Sequence, residues 1–309
     1  MKIVVGSRGS KLALWQAGWV RDRLAEAGHH ADIRIIKTTG DKLPKVSLTS
    51  SGTKGLFIKE IEEALAAQSI DLAVHSLKDL PTEQPPGLAV GAVPLRADAR
   101  DALVSRSGEP LRELPMDARV GTSSLRRQSQ LRALGPKLEV IAVRGNVDTR
   151  LKKLERGDCE ALVLAAAGLD RLGLGNRITQ YFAVEEMCPA VGQGALALEV
   201  REDDQRVQQA IQPLDDPATH QAVRAERALL RALGGGCDVP IAAHAWTADG
   251  GLKLVAVIAS LDGSRLIRTS VAGPVDVLDD LGERAAQELL KQGAHEILAA
   301  AHLEVPKVE

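Results

Sequence analysis

The sequence predicts an α/β fold with a smaller α+β part at its C-terminal end, and three observations predict it. Strand-like apolar runs alternate with helical periodicity through the first third of the chain. The same alternation restarts between Arg119 and Val184. After Gly234-Gly235-Gly236, strand-like runs are separated by hairpin turns instead of helices. With 309 residues the chain has room for two or three domains of roughly 100 to 200 residues each.

Lys2 to Val5 is a β-like run, Lys11 to Ala27 has helical periodicity, and Asp32 to Lys37, with Ile33, Ile35 and Ile36, is β-like again. A parallel β-α-β unit is the economical arrangement. Thr38 to Thr53 is rich in Thr, Ser, Lys and Gly and lacks periodicity, as expected of a long loop near function. A helix from about Gly55 to Gln68 and a buried-type strand, Leu72-Ala73-Val74, follow. The pattern resets around Arg96 to Asp101. A strand into Gly121, a helix from Leu125, a strand from Leu138 to Val143, a helix from Val147 and a strand from Ala161 to Ala165 then form a second α/β domain. Gly194 to Val200, after the turn Val191-Gly192-Gln193-Gly194, reads as a strand returning the chain to the first domain. A helix from about Ala218 to Leu233 stops at the triple glycine. Ala248-Asp249-Gly250-Gly251 and Asp262-Gly263 are hairpin turns, and a helix from about Val275 to Lys291 follows. The expected domains are 1–94 with 195–212, 95–194, and 213–309.

Composition excludes several function classes. Apolar residues make up 45% and charged residues 26%, and no run of 18 uncharged apolar residues exists to span a bilayer, so no membrane role is expected. Met1 to Gly6 enters a strand-like run without the regions of a signal peptide, so the expected location is cytoplasmic. Cys159, Cys188 and Cys237 fit neither a disulfide framework nor a zinc site, and no metal is expected. Aromatic residues, at 2%, leave few rings for stacking bases, which argues against nucleic acid as a partner. Net charge is -2, yet residues 119–156 hold ten Lys/Arg against three acids. A basic segment in an otherwise acidic chain suggests an anionic ligand met at one place, while a pair of solvated helices accounts for the charge count alone.

Two strand-to-helix junctions share their chemistry: Val5-Gly6-Ser7-Arg8-Gly9-Ser10 and Val120-Gly121-Thr122-Ser123-Ser124-Leu125-Arg126-Arg127. In each, a glycine turns the backbone, hydroxyls can cap the helix, and N–H groups meet arginines at the positive end of the dipole. Capping explains the hydroxyls. It gives no reason for arginines where their charge opposes the dipole, so an anion cradle is the favoured reading. Arg144 and Arg150 bracket another such turn. His75-Ser76-Leu77-Lys78-Asp79 follows a strand, but hydrolase triads converge from distant positions and no nucleophile elbow is present. Asp79 reads instead either as a stabiliser of positive charge and mover of protons or as an ion-pair partner of Lys78 or an arginine. Cys159 and Cys188 fit buried packing. Cys237, after three glycines, reads as an accessible nucleophile or attachment point.

Taken in order, Arg8 to Gln16, Lys54 to Glu60, His75 to Asp79, Gly121 to Arg127, Arg144-Gly145-Asn146, Pro189 to Gly194 and Gly235-Gly236-Cys237 closely resemble the porphobilinogen deaminase, or hydroxymethylbilane synthase, family. The match runs from residue 3 to about 241. The resemblance implies two domains like those of periplasmic binding proteins around a cleft, with a third domain carrying the cysteine. It also implies condensation of four porphobilinogen molecules, with loss of ammonia, into hydroxymethylbilane in tetrapyrrole and heme biosynthesis. The expected cofactor is a dipyrromethane attached by a thioether to Cys237, and the expected partner is the small-molecule substrate alone, acting on a monomer. Every pyrrole carries two carboxylates, which gives Arg8, Arg126, Arg127, Arg144, Arg150 and Arg171 a role, since guanidinium groups bind carboxylates through two parallel hydrogen bonds.

Loss of the aminomethyl nitrogen leaves an electrophilic azafulvene, which the free α-carbon of the terminal pyrrole attacks. Asp79 matches the family's catalytic aspartate and is expected to stabilise the positive charge on pyrrole nitrogen. Ser10, Gln16, Lys78, Thr122, Ser124 and Gln193 match or adjoin cofactor and substrate contacts. Two departures stand out. Many relatives have proline where Lys11 stands, a neutral change at a helix start. They often have lysine where Ser50 stands, so the lysine role of the 39–54 loop passes to Lys54. The alternative is a non-catalytic two-domain anion-binding solute sensor, which needs the cleft but not Cys237. A nucleotide-using transferase lacks both a P-loop and a Gly-x-Gly-x-x-Gly fingerprint.

Overall fold

The first apolar run forms β1 (Lys2–Ser7), and the periodic segment after it forms α1 (Lys11–Glu26), which buries Ala17, Val20 and Leu24. The structure is a computed structural model that describes residues 1–39, 58–135, 138–234, 239–275 and 277–304, with side chains to residue 301. Residues 40–53 of the loop expected over Thr38 to Thr53, Lys54, the start of the helix expected from about Gly55, and Cys237 lie outside the described residues. Contacts divide the chain into two units, the first made of 1–97 and 195–221 and the second of 98–194 and 222–304.

In the first unit, β2 (His30–Ile35), α2 (Lys59–Ala66), β3 (Leu72–Ser76), β4 (Leu88–Ala92), β10 (Leu196–Arg201) and α6 (Gln205–Ile211) join β1 and α1. The sheet has the order β2-β1-β3-β10-β4. β1 is parallel to β2 and β3, and β10 is antiparallel to both β3 and β4. Alternation along the strands sorts side chains to two faces. Ile3, Val5, Leu72, Val74, Leu196, Leu198 and Val200 pack with α1 and α6 on one face. Ala73 packs on the other, with Ile61 and Leu65 of α2 and with Leu88.

The second unit repeats the strand order. Its sheet runs β7-β6-β8-β5-β9, from β5 (Asp101–Ser105), β6 (Arg119–Gly121), β7 (Glu139–Ile141), β8 (Ala161–Ala165) and β9 (Gln180–Tyr181). β6 is parallel to β7 and β8, and β5 is antiparallel to β8 and β9. Its helices are α3 (Leu125–Leu134), α4 (Val147–Glu155) and α5 (Ala166–Arg171). The same unit holds an antiparallel sheet of β11 (Ile241–Ala248), β12 (Gly251–Ala259) and β13 (Leu266–Gly273). Around it lie α7 (Pro217–Ala232), which starts in the first unit, α8 (Leu278–Lys291) and α9 (Ala294–Glu304). The expected Asp-Gly hairpin is present: Asp249 and Gly250 both have positive φ, 53° and 77°, which suits the twist of the strands they join. Two five-stranded α/β sheets with a small three-stranded sheet give the fold class that the sequence predicts.

Element ends differ in detail. The strand expected over Leu138–Val143 keeps its ladder only at Glu139–Ile141, and the last long helix starts at Leu278 instead of Val275. The short strands β4, β5 and β9 and the helices α6 and α9 were not expected from periodicity. Each is short or broken by polar residues, as in β5, which opens on Asp101. Among the described residues no helix is long and apolar enough to cross a membrane.

Candidate active site

β1 and β3 run parallel, with Val5 opposite Leu72 and Gly6 opposite Ala73, so their carboxyl ends deliver two turns to one edge of the first sheet. From β1 comes Arg8-Gly9-Ser10. Ser10 caps α1, its Oγ accepting the Ala13 N–H at 3.3 Å, and Ser7 Oγ donates to the Ala13 carbonyl at 3.1 Å. The first turn of α1 contains no acid, so the positive end of its dipole suits an anion. From β3 comes a single 3-10 turn, Leu77–Asp79, held by Leu77 N–H to the Ala195 carbonyl at 3.1 Å and Leu80 N–H to the Leu77 carbonyl at 3.1 Å. Its geometry buries Leu77, half-buries Lys78 and exposes Asp79. Gln16 of α1 is buried, and its Nε2 donates to Ser76 Oγ at 2.8 Å, tying the two turns together. Arg8, Ser10, Gln16, Lys78 and Asp79 therefore share one edge of this unit.

The His-Ser-Asp run does not form a triad. His75 Nε2 lies 2.9 Å from Glu199 Oε2 of β10, both side chains buried, while Ser76 Oγ accepts from Gln16. Glu199 Oε1 has no hydrogen-bond partner among the described residues. Burial, and next the Glu199 charge, push the Glu62 carboxyl of α2 above its ordinary range.

In the second unit, β6 runs parallel to β8 and delivers Thr122-Ser123-Ser124 to the start of α3. Thr122 Oγ1 accepts the Ser124 N–H at 3.3 Å, and Ser124 occupies the N-cap position. Arg126 and Arg127 turn inward and are 4% and 5% exposed. They meet an anion of the chain itself, Asp101, which sequence reasoning missed. Arg126 Nη1 donates to Asp101 Oδ2 at 2.6 Å and to the Cys188 carbonyl at 2.6 Å. Arg127 donates to Asp101 Oδ1 through Nε at 3.0 Å and Nη2 at 2.8 Å. Gln193 completes the network: its Nε2 donates to Asp101 Oδ1 at 2.8 Å and to the Ala99 carbonyl at 2.7 Å, and its Oε1 accepts from Arg127 Nη2 at 3.3 Å. Burial alone would raise the Asp101 carboxyl, but the charges and hydrogen bonds of Arg126 and Arg127 outweigh it and hold the group well below the usual carboxylate range. The one sequence signal for Asp101 was an acid opening an apolar strand.

Two buried polar atoms at the start of α3 have no hydrogen-bond partner among the described residues, Ser123 Oγ and Arg126 Nε. Buried polar groups are nearly always paired, so two such atoms within four residues are an incomplete polar site. Arg171, at the end of α5, donates through Nη2 to the Gly194 carbonyl at 2.7 Å, and burial brings its guanidinium down to about 10, still protonated at neutral pH. Arg144 is exposed on the turn between β7 and α4, where Arg150 Nε donates to the Gly145 carbonyl at 2.7 Å. Cys159 and Cys188 are wholly buried, and burial pushes their thiols up to about 11 and about 12, as suits packing residues.

Two family models match this chain. Residues 3–209 match "porphobilinogen deaminase, dipyromethane cofactor binding domain", and residues 220–291 match "porphobilinogen deaminase, C-terminal domain". The chain is 52% identical to the porphobilinogen deaminase of Desulforudis audaxviator, over 96% of its own length and 97% of the relative's. It is 51% identical to that of Syntrophotalea carbinolica, over 96% and 95%, and 50% identical to that of Syntrophobacter fumaroxidans, over 96% of each. Identity of this degree along nearly the whole length does not favour the solute-sensor alternative. The incomplete polar site at α3 falls within the dipyrromethane cofactor binding domain. By the sequence resemblance, by both domain matches and by these relatives, the chain belongs to the porphobilinogen deaminase family.

Proposed function

We propose that this chain is a porphobilinogen deaminase, a transferase that joins four porphobilinogen molecules head to tail into hydroxymethylbilane on a dipyrromethane primer held by a thioether to Cys237. The observation that supports the reading is the pair of turns at the carboxyl ends of the parallel strands β1 and β3, one carrying exposed Asp79 and the other Arg8 and the start of α1, whose first turn contains no acid. In each addition the aminomethyl C–N bond breaks, ammonia leaves, a C–C bond forms at the free pyrrole α-carbon, and that carbon loses its proton. Asp79 accepts hydrogen bonds from pyrrole N–H groups as positive charge develops on them, and takes up or returns the proton. Arg8, Ser10, Lys78 and the N–H groups of α1 hold the carboxylates of the unit being added, and Gln16 fixes the turn that carries Asp79.

The residues at α3 fit a group rich in carboxylates. Among the described residues Arg126 Nε is a buried donor without a partner and Ser123 Oγ a buried hydroxyl without one, near Thr122, Ser124, Arg127 and Gln193 in sequence or through the same network. When bound, the cofactor supplies the free α-carbon that the first substrate unit joins. Arg126 and Arg127 hold its carboxylates, and Arg144, Arg150 and Arg171 receive those of the later units, with Lys54 contributing from its loop. The same reading has the chain act as a cytoplasmic monomer with neither nucleic acid nor membrane as partner, which sedimentation and cell fractionation check. Intact mass tests the central claim: purified active protein should exceed the chain mass by two linked pyrrole units on the peptide containing Cys237. An active protein without that adduct overturns the reading.

A further inference from the structure

Of the five N–H donors of the Arg126 guanidinium, the chain engages four. Nη1 donates to Asp101 Oδ2 and to the Cys188 carbonyl, both at 2.6 Å, and Nη2 donates to Asp101 Oδ1 at 3.2 Å and to Gln193 Oε1 at 3.5 Å. Nε is left, buried and without a partner among the described residues. The guanidinium is planar and rigid, so the bonds that fix its plane also fix the direction of the remaining N–H. Asp101 and Gln193 supply side-chain oxygens for three of those bonds. The other ends on a backbone carbonyl, whose place depends on whatever holds the backbone of Cys188.

Gln130, one helical turn after Arg126 in α3 and 1% exposed, holds it. Its Oε1 accepts the Cys188 N–H at 2.8 Å, and its Nε2 donates to the Cys188 carbonyl at 3.1 Å and to the Arg126 carbonyl at 3.2 Å. One primary amide thus clasps both polar atoms of the Cys188 backbone, as a neighbouring strand would, and shares the Cys188 carbonyl with Arg126 Nη1. The task needs a donor and an acceptor at one side-chain end. Glutamate has no donor, and methionine, of similar length, offers only a weakly accepting sulfur. We propose that Gln130 is a positioning residue for the reaction, setting the Cys188 carbonyl against Arg126 so that Nε is aimed at a carboxylate of the cofactor. The inference rests on the assignment of Arg126 to the cofactor's carboxylates made above. Arg126 binds a carboxylate and makes or breaks no covalent bond, so misplacing it should weaken binding and spare the bond-making step.

The test uses full-length apo protein from cells that make no porphobilinogen. Porphobilinogen is added over a range of concentrations, and intact mass gives the rate of cofactor loading at each. Gln130→Met should raise the half-saturating concentration at least about tenfold and leave the limiting rate within about threefold of wild type. General loosening of the fold would lower the limiting rate as well. Arg132→Met serves as control: Arg132 Nη1 ties the same helix to the Leu261 carbonyl, a bond that does not involve Cys188, and its loss should leave half-saturation at the wild-type value. Wild-type half-saturation in Gln130→Met overturns the proposal, as does an equal rise in Arg132→Met or a fall in limiting rate alone. If Gln130→Met gives no folded protein, Gln130→Asn, whose amide is one methylene short, replaces it under the same criteria. Failure of both to fold assigns these bonds to the core alone and overturns the proposal. Arg126→Lys is measured first: wild-type half-saturation there defeats the underlying assignment of Arg126 instead, whatever Gln130 does.

Discussion

Arg126 and Asp101 meet at 2.6 Å with both side chains buried, and Arg127 reaches the same carboxylate at 2.8 Å. One negative charge thus holds two guanidinium groups at the start of a helix whose dipole opposes them. Asp101→Asn removes that charge and leaves two buried cations, which should cost about 3 to 5 kcal/mol, measurable by urea denaturation at pH 7. The sign of the pH dependence follows from the depressed Asp101 carboxyl. A group whose folded pKa lies below its unfolded value stabilises the fold fully above the unfolded value, about 3.9, and loses that contribution as pH falls through the folded value. The stability gap between wild type and Asp101→Asn should therefore be constant near neutrality and narrow only below about pH 4.

Asp79 stands exposed in the turn after β3, so its replacement should spare the fold. Asp79→Ala should lose on the order of 100-fold or more in turnover, the scale of a preorganised electrostatic group, with the cofactor still present by mass. Turnover like that of wild type in a folded, loaded Asp79→Ala protein would remove this residue from the mechanism.

The arginines should divide by the stage at which they act. Replacing Arg126 or Arg127 should leave mostly apo protein. Replacing Arg8, Arg144, Arg150 or Arg171 should permit loading but raise KM or accumulate enzyme with one to three added units, since an unpaired desolvated carboxylate costs roughly 2 to 5 kcal/mol. Lysine should not restore full function, because a point charge cannot reproduce the two-pronged contact. Mass spectrometry after limited substrate addition reads the distribution directly, and six variants with the wild-type pattern would refute the carboxylate assignment.

Cys159 and Cys188, held at about 11 and about 12, present almost no thiolate at pH 8 and lie wholly buried. Iodoacetamide added to native apo protein should label the Cys237 peptide alone, and Cys159→Ala and Cys188→Ala should load cofactor normally. Labelling of either buried cysteine at the rate of Cys237 would contradict this.

Much of the fold was legible because period-2 and period-3.6 patterns are local. β1, β2 and β8 stand out as short apolar runs and α1 as a helix-length stretch between them, and Asp249-Gly250 marks its hairpin by residue type alone. The position of β10 between β3 and β4 was not legible, since it depends on pairing across more than a hundred residues with no signal inside the strand. At the site, Gly121 and the hydroxyls announced a helix start that binds negative charge. That the nearest negative charge is Asp101 was hidden, because an acid at the head of a short apolar run reads as a linker.

The sheet order β2-β1-β3-β10-β4 has a consequence during synthesis. β3 and β4 flank β10, so when the ribosome has released both, the slot between them is empty. Roughly a hundred more residues must be translated before β10 emerges, about 5 to 20 s at ordinary elongation rates. Through that interval the nascent chain displays two unpaired edges, one beside β3 and one beside β4, each a template for another strand. Over the same interval the intervening strands can form the sheet β7-β6-β8-β5-β9 from their own residues alone. The order of maturation on the ribosome is therefore the reverse of the order in sequence: the sheet begun second is finished first. The sheet whose β3 leads into Asp79 is the one left waiting, for the strand that joins β3 to β4.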